Sequence, residues 1–144
     1  VYGISNEEFA KDSNLREIVN LFLRQARRDD YIALNAYLPR NSHTLEVLQK
    51  LRQSILEKTG CATTLGFGPR FLHSTGQLHK GGSDRALFLQ ITREPEQDVE
   101  IPGQGITFSI LERAQALGDL EALMARQRRV IRVHLTAGQI EDLF

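Results

Sequence analysis

The stretch from residue 66 to residue 82 reads G-F-G-P-R-F-L-H-S-T-G-Q-L-H-K-G-G and holds five of the eleven glycines in the chain. It also carries two of the four histidines. The run C-A-T-T-L at residues 61–65 precedes it and is typical of a strand. Glycines after a strand permit unusual backbone angles and leave amide groups uncovered. We therefore interpret this glycine-rich segment (residues 66–82) as the feature that the rest of the chain supports.

The spacing within the glycine-rich segment predicts one helix over residues 70–80. Pro69 suits the first position of a helix, and the glycines at 81 and 82 would end it. On such a helix, one face would carry Arg70, His73, Gln77 and Lys80. A helix N-terminus beside an Arg and a Lys is a pattern that suits a phosphate group.

Other chemistries fit the glycine-rich segment less well. The segment lacks the nucleotide motif G-x-x-x-x-G-K-[ST], and Phe71 stands where G-x-G-x-x-G needs its third glycine. His73 and His79 have no Cys or carboxylate at ligand spacing, so we predict no metal site. Ser74 follows His73 directly, and adjacent helical residues do not face each other, which argues against a serine hydrolase. A domain- or subunit-docking surface remains the alternative.

The flanking sequence predicts strands that alternate with helices. Strands are expected at residues 31–38, 61–65, 86–92 and 130–135, and helices at 14–28, 44–58, 108–117 and 120–127. Gly118 is expected to end the third of these helices, with Ile110, Leu111, Ala114 and Leu117 forming its apolar side. Residues 1–13 are expected to form an arm or a short helix. Thr136 and Gln139 would cap a last helix that ends near Phe144.

This alternation predicts an α/β fold: a three-layer sandwich with a mostly parallel sheet and helices on both faces. The length of 144 residues suits one domain, residues 1–144. In such sheets ligands collect where strand carboxyl ends meet helix N-termini. The glycine-rich segment begins at such a point.

Composition and charge limit the kinds of partner that the chain is expected to bind. The formal net charge is zero, which argues against nucleic acid as a partner, and no apolar run is long enough to span a membrane. The single cysteine, Cys61, fits a reducing compartment and is interpreted as a small buried residue. Remaining polar residues are interpreted as structural: helix-end arginines at 24, 27, 28, 126, 128 and 129, a solvated acidic loop at 94–100, and His43 and His134.

The glycine-rich segment closely resembles a run near the C-terminus of bifunctional transaldolase/glucose-6-phosphate isomerase proteins. The resemblance continues over about residues 30–135. It includes D-Y-I-A-L-N-A-Y-L-P at 30–39, F-L-Q-I-T at 88–92, I-P-G-Q at 101–104, A-Q-A-L-G-D-L-E-A-L at 114–123 and R-V-H-L at 132–135. It implies a sandwich of the Rossmann-like sugar-isomerase type.

The resemblance also implies a function. It indicates the C-terminal domain of a cytoplasmic enzyme that interconverts glucose 6-phosphate and fructose 6-phosphate without a cofactor. The implied catalytic residues are His73 and Lys80. The implied substrate or phosphate contacts are Gly68, Arg70, Ser74, Thr75, Gln77 and His79. The implied partners are a sugar phosphate and the upstream isomerase and transaldolase domains of the same polypeptide, and homo-oligomer formation is left open.

The chain departs from the isomerase pattern in three places. It lacks an S-G-G-T-x-E-T-type phosphate loop and an F-D-Q-x-x-V-E-x-x-K-type segment. H-S-T-G-Q at residues 73–77 echoes the end of an E-P-G-T-N-G-Q-H-like run, but Phe71 takes the place of the base glutamate. We therefore expect the chain to be part of a longer enzyme and inactive alone. A non-catalytic docking or phosphosugar-sensing module is the alternative.

Overall fold

A parallel sheet forms the centre of the computed structural model, which describes residues 15–135 and 140–143. Its strands are β1 Tyr31–Tyr37, β2 Ala62–Phe67, β3 Ala86–Arg93 and β4 Arg129–Leu135. They lie in the order β2-β1-β3-β4, and each neighbouring pair is parallel. The predicted parallel sheet is confirmed. Because β1 and β3 are neighbours that lead to helices on opposite faces, the order of the strands reverses between them.

Helices cover both faces of the sheet. They are α1 Leu15–Leu23, α2 Ser42–Thr59, α3 Thr75–Gly81 and α4 Phe108–Ala125, with short 3₁₀ helices at Arg70–His73 and Ile140–Leu143. Side chains of α1, α2 and the last 3₁₀ helix share a core with one face, whereas α4 and the segment after β2 pack on the other. The predicted three-layer α/β sandwich is therefore confirmed. Across the described ranges, no helix is both long and apolar enough to cross a membrane.

The apolar strand residues explain why β1 and β3 lie at the centre of the sheet. All but the first residue of β1 and all but the last of β3 are buried, as expected for strands covered on both faces. Towards α1 and α2, β1 presents Ile32, Leu34 and Ala36. Cys61 is buried in the same core, as predicted.

Helix α2 matches the sequence prediction closely. The Asn41 side chain accepts a hydrogen bond from the Thr44 amide at 2.8 Å, which caps the start of the helix. Gly60 ends it with a φ of 69°, a backbone conformation that favours glycine.

Helix α4 differs from its prediction, because it continues through Gly118 as one helix to Ala125. A glycine inside a helix costs only about 1 kcal/mol relative to alanine. The burial of Leu120 and Leu123 beyond it offsets that cost. The predicted apolar side is also wrong, since Ile110 is 53% exposed. The buried stripe is Ala116, Asp119, Leu120 and Leu123.

The end of α1 is also earlier than predicted, at Leu23 rather than residue 28. The Arg27 amide donates to the Asp30 carboxylate at 2.7 Å, so these residues form a turn that leads into β1. The arm predicted at residues 1–13 and the capping box of Thr136 and Gln139 lie outside the described residues.

A buried ion pair fastens the amino ends of β1 and β4. The Arg129 guanidinium binds both carboxylate oxygens of Asp30, at 2.8 and 2.9 Å. Neighbouring Arg128 contacts Asp84 at 3.5 Å. Both arginines are only 8% exposed, so their interpretation as solvated helix ends is wrong. The hydrogen bond from Arg129 is the largest of the effects that hold the pKa of Asp30 below its ordinary value.

We predict that Asp30→Asn lowers the free energy of unfolding by about 3 kcal/mol at pH 7, because it leaves the buried Arg129 without its counter-charge. Since the folded-state pKa of Asp30 lies below 3.8, its contribution is present above that pH and is lost as the pH falls through the folded-state value. The destabilisation should therefore shrink in acid. Urea unfolding at pH 7 and pH 3 measures both effects.

The matched control for this variant is Glu46→Gln, which breaks the exposed pair between Glu46 and Lys50 on α2. It should cost much less than Asp30→Asn. Equal losses in the two variants would contradict the structural role of the Asp30–Arg129 pair.

Candidate functional site

The glycine-rich segment forms two short helices instead of the predicted single one. The 3₁₀ helix Arg70–His73 ends at Ser74, whose φ of −137° and ψ of −101° break the chain direction, and α3 follows. Gly76 permits this bend, because a Cβ there would lie 3.0 Å from the carbonyl oxygen of Phe71. Phe71 itself is buried, with its ring centroid 5.7 Å from that of Tyr37.

The predicted cationic face is dispersed by this bend. Five of the site residues predicted from the sequence are exposed: Arg70, His73, Ser74, Thr75 and Gln77. Ser74 donates to the Phe71 carbonyl at 3.4 Å, and the Gln77 amide donates to the Leu72 carbonyl at 3.2 Å. These side chains therefore lie on the surface of the molecule and not around a common cavity.

Lys80 and His79 point into the protein. The ammonium group of Lys80 lies 3.0 Å from the Asp119 carboxylate, where the two side chains are 19% and 1% exposed. The His79 ring is buried 5.0 Å from that of Phe88, and burial lowers the pKa of this histidine. Arg128 donates to the carbonyls of Lys80 and Gly82. The end of α3 is thus tied to α4 and to the start of β4.

Gly68 supports the side chain of Tyr37. Its amide donates to the Ala36 carbonyl at 2.8 Å, which extends the pairing of β2 with β1 by one step. A Cβ at this position would overlap the Tyr37 ring. Gly68 therefore allows the backbone to lie directly against Tyr37, and through Tyr37 the segment borders a cleft.

The cleft has a volume of about 750 Å³ and lies at the carboxyl edge of the sheet. It opens beyond the ends of β1, β3 and β4, between the N-termini of α2 and α4. This is the place, beside the reversal of strand order, where open α/β sheets bind ligands. The polar side chains that line it include Tyr37, Thr92, Arg93, Glu94, Glu112, Arg113, Arg132 and His134.

The sheet face beneath α4 changes from apolar to polar towards the cleft. The strand register places three rows across β1, β3 and β4. From the amino end these rows are Ala33, Phe88 and Val130; then Asn35, Gln90 and Arg132; then Tyr37, Thr92 and His134. Polar residues in buried strands cost free energy, so their concentration at one edge indicates a functional role.

Hydrogen bonds connect the row that lies nearest the cleft. The Thr92 hydroxyl lies 2.9 Å from Nδ1 of His134, and Nε2 of the same ring lies 3.1 Å from the Glu94 carboxylate. Arg132 approaches the Thr92 hydroxyl through its Nε at 3.4 Å. His134 is thus held in a fixed orientation by a hydroxyl on one side and a carboxylate on the other.

Several buried polar atoms on this face have no partner among the described residues. They are the Asn35 amide oxygen and nitrogen, the Tyr37 hydroxyl and the Gln90 Oε1. Each unsatisfied group costs about 1–3 kcal/mol. Burial, and then the charges of Asp119 and Glu112, raise the pKa of Tyr37, so its hydroxyl stays protonated. This face therefore has unused hydrogen-bonding capacity next to the cleft.

The carboxylate of Asp98 is bound at the N-terminus of α4. The Asp98 carboxylate accepts from the Ser109 amide at 3.1 Å and also from the Ser109 hydroxyl. The hydroxyl bond is the main cause of a lowered pKa for Asp98. The cations that remain for a ligand in the cleft are consequently side chains, not this helix end.

Most of the residues that line the cleft are absent from the predicted site, including His134, which is predicted to be structural, and the acidic loop, which is predicted to be a solvated face. A signal was present: each of the runs Y-I-A-L-N-A-Y, A-L-F-L-Q-I-T and V-I-R-V-H-L carries polar residues two apart at its carboxyl end. Alternate residues of a strand face the same side, so these pairs belong to one surface.

Comparison with known proteins supports the fold. No protein-family model matches the chain, and neither does any curated protein. Among solved structures it is similar to the crystal structure of a hypothetical protein, TT0462, from Thermus thermophilus, with a TM-score of 0.69 and 25% sequence identity. The alignment covers 85% of this chain and 34% of the Thermus chain, so the chain spans about a third of that protein's length.

We predict that Gly68→Ala lowers the free energy of unfolding by about 1–3 kcal/mol, because the added methyl group displaces Tyr37. Gly81→Ala is the matched control, since a Cβ at Gly81 meets nothing within 4 Å. Thermal unfolding measures both variants. A Gly68→Ala protein that is as stable as the wild type would contradict the tight contact between Gly68 and Tyr37.

We predict that Lys80→Met costs about 3 kcal/mol, because it leaves the Asp119 carboxylate buried without a counter-charge. Adding Asp119→Leu should recover most of the loss, since replacing both members of a buried pair by apolar residues is often close to neutral. Chemical denaturation of the two single variants and the double variant measures the coupling. Additive losses would show that the pair does not act as a unit.

Proposed function

We propose that the chain is the C-terminal α/β domain of a glucose-6-phosphate isomerase, within a bifunctional transaldolase/isomerase, and that it binds the sugar phosphate in the cleft at the carboxyl edge of the sheet. The observation that carries this proposal is the polar end of the sheet face beneath α4, which opens into a cleft at the reversal of strand order. The sequence resemblance supplies the substrate class.

The charges around the cleft suit a sugar phosphate. Arg93, Arg113 and Arg132 line the cleft together with His134. One guanidinium group can donate two parallel hydrogen bonds to two oxygens of a phosphate. The Tyr37 hydroxyl and the Glu112 carboxyl are able to bond sugar hydroxyl groups. A ligand with an anionic end and a polyol end therefore finds complementary groups at both ends.

In this proposal the chain supplies one part of a larger cytoplasmic enzyme. The upstream isomerase and transaldolase domains of the polypeptide are its partners, and the complete reaction needs them. The glycine-rich segment then acts mainly from behind the cleft, where Gly68 and Phe71 hold Tyr37 in place.

A second candidate function is domain docking by the outer surface of the glycine-rich segment. The observation that favours it is the exposure of five polar members of the segment together with Leu78, which is 61% exposed. A polar surface around an exposed leucine suits contact with another domain.

The histidines allow one titration to distinguish these functions, because His73 marks the glycine-rich segment and His134 marks the cleft. We expect added fructose 6-phosphate to shift the ring-nitrogen NMR signals of His134 and to leave those of His73 unchanged. Arg132→Gln should weaken binding at least tenfold, because it removes a cation from the cleft, whereas Arg70→Gln should not.

If fructose 6-phosphate shifts only the His73 signals, the sugar-phosphate site lies in the glycine-rich segment and not in the cleft. If no histidine signal responds to fructose 6-phosphate, while the His73 signals respond to added isomerase domain, docking replaces ligand binding as the function of this chain.

A further inference from the structure

Helix α4 is apolar on the side that faces solvent as well as on the side that faces the sheet. On the inner side, Leu120 and Leu123 pack in the core. Nine residues of the helix are exposed, and only two of the nine, Arg113 and Glu121, have a polar side chain. A helix that is apolar all round is typical of one that is covered on both sides.

The exposed side of α2 provides a comparison within the same molecule, because α2 and α4 each contain 18 residues. On α2, exposed side chains form the pairs Glu46–Lys50 and Gln53–Glu57, whose spacing of four residues stabilises a helix in water. At similar spacing, the exposed side of α4 carries apolar residues. The two helices therefore differ in the surroundings that their outer sides are suited to.

Five exposed residues of α4 form one continuous surface, to which we refer as the outer face of α4: Ile110, Leu111, Ala114, Leu117 and Gly118. Their spacing of three, four and seven residues places them on one side of the helix. Ala114 and Gly118 lie one turn apart, and a Cβ at Gly118 would meet nothing within 4 Å. Small residues at such positions allow a second helix to pack at the short end of the usual range of about 8–10 Å. The outer face therefore has the shape of a helix-packing surface.

The charged side chains of α4 lie at the borders of the outer face. Arg113 lies at its side, and Glu121 lies one turn beyond its end. A centre without charges and a polar rim are typical of protein interfaces, and the interfaces that stay closed permanently are the most apolar ones. The outer face therefore suits a permanent partner.

The outer face begins at the mouth of the cleft. Phe108 and Ile110 line the cleft, and Leu117 lies two turns further along the helix. The similar Thermus protein has the length for such a partner, because about two-thirds of its chain lies outside the part that this chain matches. A domain that covers the outer face would also lie beside the cleft.

We propose that the outer face of α4 binds an apolar helix of the upstream isomerase domain in the same polypeptide. This inference rests on the proposed function, in which that domain is needed for the complete reaction. A domain held on α4 reaches the cleft at Phe108 and Ile110, so docking and completion of the site use adjoining surfaces.

Hydroxyl-radical labelling of the complete natural polypeptide, read by mass spectrometry, tests whether the outer face is covered. Leu117 and Leu56 are 45% and 47% exposed in this chain, so they would be oxidised at similar rates on bare helices. Because the packed core of an interface excludes water, Leu117 should be oxidised at least about tenfold more slowly than Leu56. In urea the two rates should become similar.

A charged variant tests whether docking causes the protection. Leu117→Glu places a carboxylate in the outer face, and it should raise the oxidation of Ile110 and Leu111 by about tenfold, because a charge buried in an apolar interface displaces the partner. Leu56→Glu is the matched control, since it adds the same charge at a similarly exposed position on α2. It should leave both rates unchanged.

Photo-crosslinking identifies the partner. Glu121→p-benzoylphenylalanine places a photoreactive group one turn beyond the outer face, at an exposed position. Illumination should join it to a peptide of the upstream isomerase domain, and the product should keep the mass of a single polypeptide. A cross-link to the transaldolase domain or to a second copy would overturn the proposed partner, and so would protection of Leu117 that disappears on dilution.

Calorimetry with fructose 6-phosphate separates this inference from the proposed function. If the polypeptide binds fructose 6-phosphate but oxidises Leu117 as fast as Leu56, the docking surface is wrong and the proposed function stands. If Leu117 is protected and the cross-link reaches the isomerase domain, but fructose 6-phosphate does not bind, sugar-phosphate binding in the cleft is wrong and the docking surface stands.

Discussion

Contact of the Tyr37 ring with Gly68 and Phe71 joins the two regions of the molecule that carry polar chemistry. Tyr37 ends β1 at the floor of the cleft, and Gly68 and Phe71 begin the glycine-rich segment. A side chain larger than hydrogen at Gly68 would separate them. The glycine-rich segment and the cleft therefore depend on each other, although few of their side chains touch.

The two ends of the strands have different roles in the sheet. At the amino ends, apolar rows and the Asp30–Arg129 pair hold the strands together. At the carboxyl ends, polar side chains lie in buried positions, some of them without partners. Groups of this kind reduce stability, and the apolar amino half compensates for them. This arrangement concentrates polar groups at one edge of the sheet while the apolar half keeps the fold stable.

Local pattern was enough to predict the four strands, α2 and the sandwich, because each rests on the periodicity of apolar residues. It failed where long-range contacts decide the outcome. The break at Ser74 depends on Gly76 meeting the Phe71 carbonyl, and α4 continues through Gly118 because later residues are buried. The cleft required the register of separate strands, which no single segment contains.

The uninterrupted course of α4 has a mechanical consequence. Asp119 is fastened to Lys80 of the glycine-rich segment, and Glu112 lies two turns away on the same rigid rod. A movement of α3 would therefore be transmitted through this helix to the residues of α4 that line the cleft. The glycine-rich segment and the cleft are thus mechanically coupled through α4.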